Sequence, residues 1–387
     1  MSYPIFWRAI LSYSIASNSK TDEPYSGDLA ALMWRGACAL ESTLPQDRMF
    51  GLYGVMNKVK IEVPEPDYTR SEVEVCEMTT VAIIRTTNAL DILPSCVQLN
   101  YSASYPSWVL GSSNTSSDWL SLELITGAAK DKVYGASCGT KATYSLIYGP
   151  GRLAVRGLIL SKVKFLRVSD VLGTHSTHGV EQELPYWSYI KACQSWCQYV
   201  ATHFGFEDIS HAAIRILTND HHKMKEIRIH DYDESSGKVE FTSFQGWFDL
   251  MLYPYCLIHY PEDLLMMSRE ESRLQNPGSS DCVVPLLFYA MAKKKRNGPV
   301  AEQIAMTILK HANYALMVLE SGHFARGLGI CKEGDVVALL AASSFPVALR
   351  HVQGNESRFV SQIYVDGIMD GEGWPENESE LEEIVLV

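Results

Sequence analysis

Apolar positions fall at helical spacing through residues 4–17 and 27–42, where Leu29, Leu32, Met33, Ala37 and Leu40 form one stripe. The spacing predicts two helices, with Ser26 and Asp28 available to cap the second. The pattern continues helical over 45–57, and its small residues Gly51 and Gly54 suit close approach by another element. A further helix is predicted over 71–87 from Val73, Val75, Met78, Val81 and Ile84, with Asp67 as its N-cap and Glu72 and Glu74 in the first turn. Residues 98–150 are rich in Ser, Tyr, Gly and Asn, the composition of loops and short strands. From Leu153 to Val168 the pattern changes to alternation, which predicts two strands meeting at Gly157.

Beyond a loop at 169–180, a helix is predicted over 184–204 with Trp187, Ile190, Cys193, Trp196, Cys197 and Val200 on one stripe. Ala301–Gly322 reads as a last helix, carried by Ile304, Ile308, Ala312, Ala315, Leu316 and Leu319 and stopped by Gly322. Then come short aliphatic or β-branched runs: Phe324–Gly329, Gly334–Leu340, Pro346–Arg350 and Tyr364–Glu372. Broken by Gly, Pro, Asn and Asp, they predict an antiparallel β meander or small barrel, with Lys332–Asp335 as one of its turns. Past Trp374 the tail carries Glu376, Glu378, Glu380, Glu382 and Glu383 and no base, a composition that predicts fraying. The expected fold class is α+β. Its parts are a helical region over 1–150 with a Ser/Tyr-rich loop, an α+β region over 151–372 ending in the meander, and an acidic tail over 373–387.

Composition narrows the function classes. A formal net charge of −12 with no compensating basic face argues against a nucleic-acid surface. The best apolar run, Cys282–Ala292, contains Pro285 and falls short of the ~20 residues that span a bilayer. Nine irregularly spaced cysteines read as reduced thiols, which points to the cytoplasm.

The chemical motifs are informative mostly by exclusion. Gly327-Leu328-Gly329 is too short for a dinucleotide fingerprint, Gly135–Lys141 lacks the phosphate-loop order, and no Gly-x-Ser-x-Gly elbow occurs. Asp231–Gly237 begins like a calcium loop but has Ser236 where the sharp turn needs Gly, and His221, His222 and His230 do not make a zinc set. The expectation is therefore neither a metal nor a cofactor. An apolar pocket walled by Trp108, Trp119, Trp187 and Trp196, with Arg326 and Arg350 as donors, is one candidate site. Asp366, Asp370 and Glu372 are an even number of residues apart, so a strand would place them on one face to act as acid or base. The interleaved Gly367 and Gly371 favour instead a capped turn in which the carboxylates satisfy backbone N–H groups.

A resemblance enters at two blocks. The order Phe324-Ala325-Arg326-Gly327-Leu328-Gly329, Gly334–Val337, Pro346–Arg350 and Tyr364–Glu372 is similar to the C-terminal end of fungal heterokaryon-incompatibility (HET-domain) proteins. Pro45–Val55, followed by Pro66–Thr69, Ala89–Leu93 and Pro106–Val109, resembles the same family in the same order. The likeness covers about 25–170 and 315–372, the region downstream of the family's effector domain, for which too few residues precede Pro45. It implies an effector-less HET-like scaffold. Two functions fit that scaffold: binding a hydrophobic small molecule, as a cofactor-independent cyclase or pericyclase of fungal secondary metabolism would, or binding a protein partner in self/non-self recognition without catalysis.

Overall fold

A capping box sets the start of the helix that begins at Glu72. The computed structural model describes residues 42–58, 60–97, 105–111, 134–142, 144–146, 151–168 and 314–387, together with isolated helical positions between 192 and 216. Helix α1 spans Asp47–Lys58 and α2 spans Glu72–Thr87. The Ser71 side chain accepts from the Glu74 N–H while Glu74 reaches back to the Ser71 N–H, satisfying two of the orphan donors at the start of α2. Asp67, expected as this cap, instead ties its own turn together by accepting from Thr69 and pairing with Arg70. Four residues nearer the helix, Ser71 does the capping, with Glu74 in reciprocal reach. Gly51 and Gly54, expected at a close helix contact, lie on the exposed side of α1 with no atom near a would-be Cβ. Asn88 ends α2 in the left-handed conformation, its N–H bonded to the Ile84 carbonyl.

The sheet is built from strands β1 (Tyr144–Leu146), β2 (Leu153–Val168), β3 (Tyr314–Leu319), β4 (Phe324–Leu328), β5 (Val336–Leu340), β6 (Val347–Gln353), β7 (Glu356–Val365) and β8 (Glu382–Leu386). The chain divides into two compact units, Met1–Phe165 with Leu319–Val387, and Leu166–Val318. In the first unit β2 pairs with β5, β5 with β6, β6 with β7, β7 with β8, and β8 with β2 again, so the hydrogen-bonded circuit closes on itself. All of these pairings are antiparallel except β7–β8. The remaining strands lengthen the circuit: β1 extends the β5 side of β2, and β4 pairs with the end of β7. The small barrel expected at the C-terminal end is thus the core of this unit, although its strands run further than the sequence pattern indicated.

Two sequence expectations fail here. Gly157 does not separate two strands. One continuous 16-residue strand runs through it, because Gly157 lets β5 and β8 approach from both sides: a Cβ would lie 2.7 Å from the Leu339 carbonyl and 2.9 Å from the Leu340 side chain. The irregularity falls later, as a bulge between Ile159 and Ser161. The tail does not fray either. Ile384, Val385 and Leu386 are buried in β8 and only the glutamates point out.

In the second unit the described positions at 192, 195–196, 199–200 and 202–204 are helical, with Ala192, Trp196 and Val200 buried. Arg167 Nε donates to Ser195 Oγ at 2.9 Å. The helix expected over Ala301–Gly322 is contradicted at its end: residues 314–319 form β3, all of it buried. Tyr-Ala-Leu-Met-Val-Leu is short and apolar throughout, and such a run has no period to separate a buried strand from a helix. Gly322 sits at φ +88° and ends a tight turn, with the Leu319 N–H donating to the His323 carbonyl, rather than a helix.

Replacing Gly157 with alanine is expected to destabilise the fold by about 2 kcal/mol or more, because the obstruction is backbone on a paired strand. The Gly334→Ala variant meets open space and carries only the strain of φ +89°, on the order of 1 kcal/mol. Denaturant midpoints of the two variants against wild type check that order.

Candidate functional site

The connection between β5 and β6, residues 341–346, gathers several distant segments. Its Ala342 carbonyl accepts from the Leu90 N–H at 2.8 Å and its Ala342 N–H donates to Thr140 Oγ1 at 2.9 Å. The Ser344 carbonyl accepts from Ala136 N–H, and Ser344 N–H and Oγ donate to the two carboxylate oxygens of Asp91 at 2.8 and 2.9 Å. The turn at 134–140 is thereby laid over the end of the sheet, and a second bond from Gly135 N–H to the Met369 carbonyl fixes it.

Under that turn lies a buried polar face. Arg326 on β4 is directly opposite Tyr364 on β7, so both side chains leave the same face of the sheet. Gln362, two residues before Tyr364, shares that face by alternation and sits opposite Val347 of β6. Arg326 is 0% exposed and Gln362 2%. Tyr134 packs edge-on against Tyr364 of that face and against Phe345, with ring centroids 6.2 and 5.5 Å apart. Gln362 is unusual chemically: neither its Oε1 nor its Nε2 has a hydrogen-bond partner among the described residues. Burying both ends of an amide without partners costs on the order of 1–3 kcal/mol each. The short helical turn Leu93–Cys96 packs against β7, and its buried Ser95 hydroxyl likewise lacks a partner.

On the other side of β7, Ser361 Oγ accepts from Leu328 N–H and bonds the Cys331 thiol. Burial, reinforced by the nearby Asp335 charge, pushes that thiol up to about 12. Arg350 grips Asp335 with two bonds of 2.8 Å and also donates to the Ile330 carbonyl at 3.0 Å. Asp335 is 3% exposed and accepts from Lys332 N–H, so this pair locks the β4–β5 turn to β6.

The sequence-derived candidates separate in space. Arg326 is on the buried polar face, whereas Arg350 is committed to Asp335. Trp108 is fully buried and donates its indole N–H to the Gly151 carbonyl at 3.1 Å, while Glu77, its carboxyl raised by burial, accepts from Gly151 N–H. It is a core plug. Trp196 is buried in the other unit, and Trp119 and Trp187 lie outside the described residues, as do His221, His222, His230 and Asp231. Asp366, Asp370 and Glu372 follow the end of β7 and occupy turns with Gly367 at φ +78° and Gly371 at φ +97°. Strand alternation therefore does not align them. Glu372 instead accepts from Asp370 N–H at 2.8 Å. Gln362, Tyr134 and Ser344 were not singled out by the sequence reading. The signal for Gln362 was the polar pair Ser361-Gln362 inside the apolar run Phe359–Val365.

Among the described residues no three His, Cys, Asp or Glu side chains gather in a way that could hold a metal ion, and no helix is long and apolar enough to cross a membrane. Comparison with known proteins finds no matching family model, no matching curated protein and no matching solved structure.

Burial pushes the Asp91 carboxyl above its ordinary value of 3.8 despite the two bonds from Ser344 that favour its charge. The folded state then binds this proton more tightly than the unfolded one, so stability falls as pH rises from that ordinary value through the raised one. The Asp91→Asn variant is expected to gain on wild type across that interval and to run parallel to it above, as read by urea unfolding over a pH series. Alkylation distinguishes the thiols. Cys138 is exposed and is expected to react in the native protein, while Cys76, Cys96 and Cys331, all buried, react only after unfolding, as peptide mass spectrometry would show.

Proposed function

We propose that the chain is an effector-less HET-like scaffold whose barrel-bearing unit binds a hydrophobic small molecule through the face that carries Arg326, Gln362 and Tyr364. The observation that carries this reading is the buried Gln362 amide with both ends unpartnered, diagonal across the sheet to a fully buried arginine and two residues from Tyr364. A fold gains nothing in stability from such a group, since a hydrocarbon of the same shape serves better. Its retention is understandable if a ligand completes it.

The chemistry that suits such a face is ring closure without a cofactor. Arg326 and the Gln362 NH2 would donate to a substrate carbonyl, drawing electron density from the conjugated system attached to it, while the closed site holds the reacting ends together. An isomerising cyclisation of this kind takes up and releases nothing, so it needs no metal or redox partner. The same reading keeps the N-terminal half largely helical, places the protein in the cytoplasm and gives it no role on nucleic acid, in line with its acidic charge. Recognition of a protein partner is the weaker reading, because Trp108, Trp196, Tyr134 and Tyr364 are buried rather than displayed as a patch.

The test is thermal unfolding of the purified chain with hydrophobic extracts of fungal cultures, followed by mass spectrometry of whatever co-purifies. A small molecule that raises the melting temperature of wild type and has no effect on Gln362→Leu supports the proposal. The variant alone is expected to be more stable by roughly 1–3 kcal/mol, since an unsatisfied amide is removed. No stabilisation by any small-molecule fraction, or stabilisation that Gln362→Leu retains, would overturn it.

A further inference from the structure

The geometry points to a lactam, or another amide held in the cis form, as the ligand group that sits against Gln362; this inference rests on the ligand-binding reading above. A primary carboxamide presents its oxygen and one of its N–H bonds side by side and in one plane. The group that satisfies both at once must carry a donor and an acceptor side by side in the same plane. A carboxylate has no donor and would leave Oε1 of Gln362 unpaired. A ketone or an ether fails for the same reason, and a hydroxyl places donor and acceptor on a single atom. A cis-amide N–H and carbonyl match both atoms in one cyclic pair of hydrogen bonds.

The surroundings agree with that shape. Arg326 is the diagonal neighbour of Gln362 across the β4–β7 pair, a relation that long side chains bridge. A guanidinium in that relation would add its charge on the side of the ligand carbonyl. Tyr364, on the same face as Gln362, meets Tyr134 edge to face at 73°, so aromatic surface adjoins the amide along the strand. Val347, directly opposite Gln362 and 1% exposed, adds an aliphatic wall on the β6 side. A polar edge with aromatic and aliphatic neighbours suits a small lactam bearing a hydrocarbon substituent.

The probes are 2-pyrrolidinone and its N-methyl derivative, which have the same ring and carbonyl but differ in the donor. Each is titrated into the full chain while the side-chain NH2 signals of glutamine are followed by NMR, with the Gln362→Leu spectrum identifying the resonance of Gln362. The expected result is that 2-pyrrolidinone shifts that NH2 pair and binds at least about tenfold more tightly than the N-methyl compound, the difference one buried hydrogen bond makes. Gln362→Met serves as a second control should the leucine variant fold poorly. Equal binding of the two probes, or binding that survives both substitutions, would overturn the assignment. If neither probe binds while an extract component still stabilises wild type in a Gln362-dependent way, the lactam assignment fails and ligand binding stands. If nothing binds at all, both fall. A crystal structure with only a water between Gln362 and its neighbours, unchanged by saturating 2-pyrrolidinone, also overturns it.

Discussion

A sheet that closes has no free edge, and closure of this one depends on the five residues of β8. They lie antiparallel to β2 on one side and parallel to β7 on the other, so each neighbour's backbone groups find partners that no other described strand supplies at that level. The anchoring continues one residue further. Val387 N–H donates to the Ser357 carbonyl, and the Val387 carbonyl receives both the N–H and the hydroxyl of Ser107. That same hydroxyl accepts from Phe359 N–H at 2.8 Å. One serine in the 105–111 segment thus clamps β7 and β8 together, and next to it Trp108 fills the space against Gly151.

At the other end of the barrel, order is imposed electrostatically. Arg350 and Asp335 form a two-pronged pair whose carboxylate is almost fully enclosed, so loss of either partner would leave a charge with little solvent to compensate it. The pair fixes the turn before β5, and the register of β5 against β2 and β6 follows from that turn. With β5 and β6 held, the connection at 341–346 is presented rigidly to Asp91, Leu90, Thr140 and Ala136. The buried polar face is a consequence: the 134–140 turn is pinned above it from two sides, by Ser344 and by Met369.

Much of the barrel could be read from the chain, because Gly, Pro and Asp punctuate its strands at positions where the backbone needs them. Gly334 at φ +89° in the predicted Lys332–Asp335 turn is one such position, and the strand after Pro346 is another. What failed was locally ambiguous. Tyr314–Leu319 is apolar at every position, so helix and strand fit it equally, and burial on both faces decided for β3. The glutamates of the tail hid Ile384, Val385 and Leu386, whose burial depends on partners more than two hundred residues away, such as Leu153–Val155. The candidate site was legible only at Arg326. Arg350 has the same side chain but meets its carboxylate through a fold-specific turn, and the carboxylates of 366–372 depend on where β7 ends, which pattern alone places poorly.

Gln362 was overlooked for a related reason. Reading by pattern treats a polar residue in an apolar strand as a solvent-facing position or a flaw, whereas both faces of β7 are buried here. Ser361 and Gln362 then represent two solutions to one problem. Ser361 is satisfied at once, by the Leu328 N–H and the Gln362 carbonyl, and serves the fold. Gln362 is left with an amide that the described residues do not complete, two positions along the strand from Tyr364 and diagonal to a buried guanidinium. A chain under selection for stability alone loses such a residue easily, since leucine is nearly the same size and carries no polar atom to satisfy. On the ligand-binding reading proposed above, the stability forgone at this position is recovered when a partner with the matching donor and acceptor arrives.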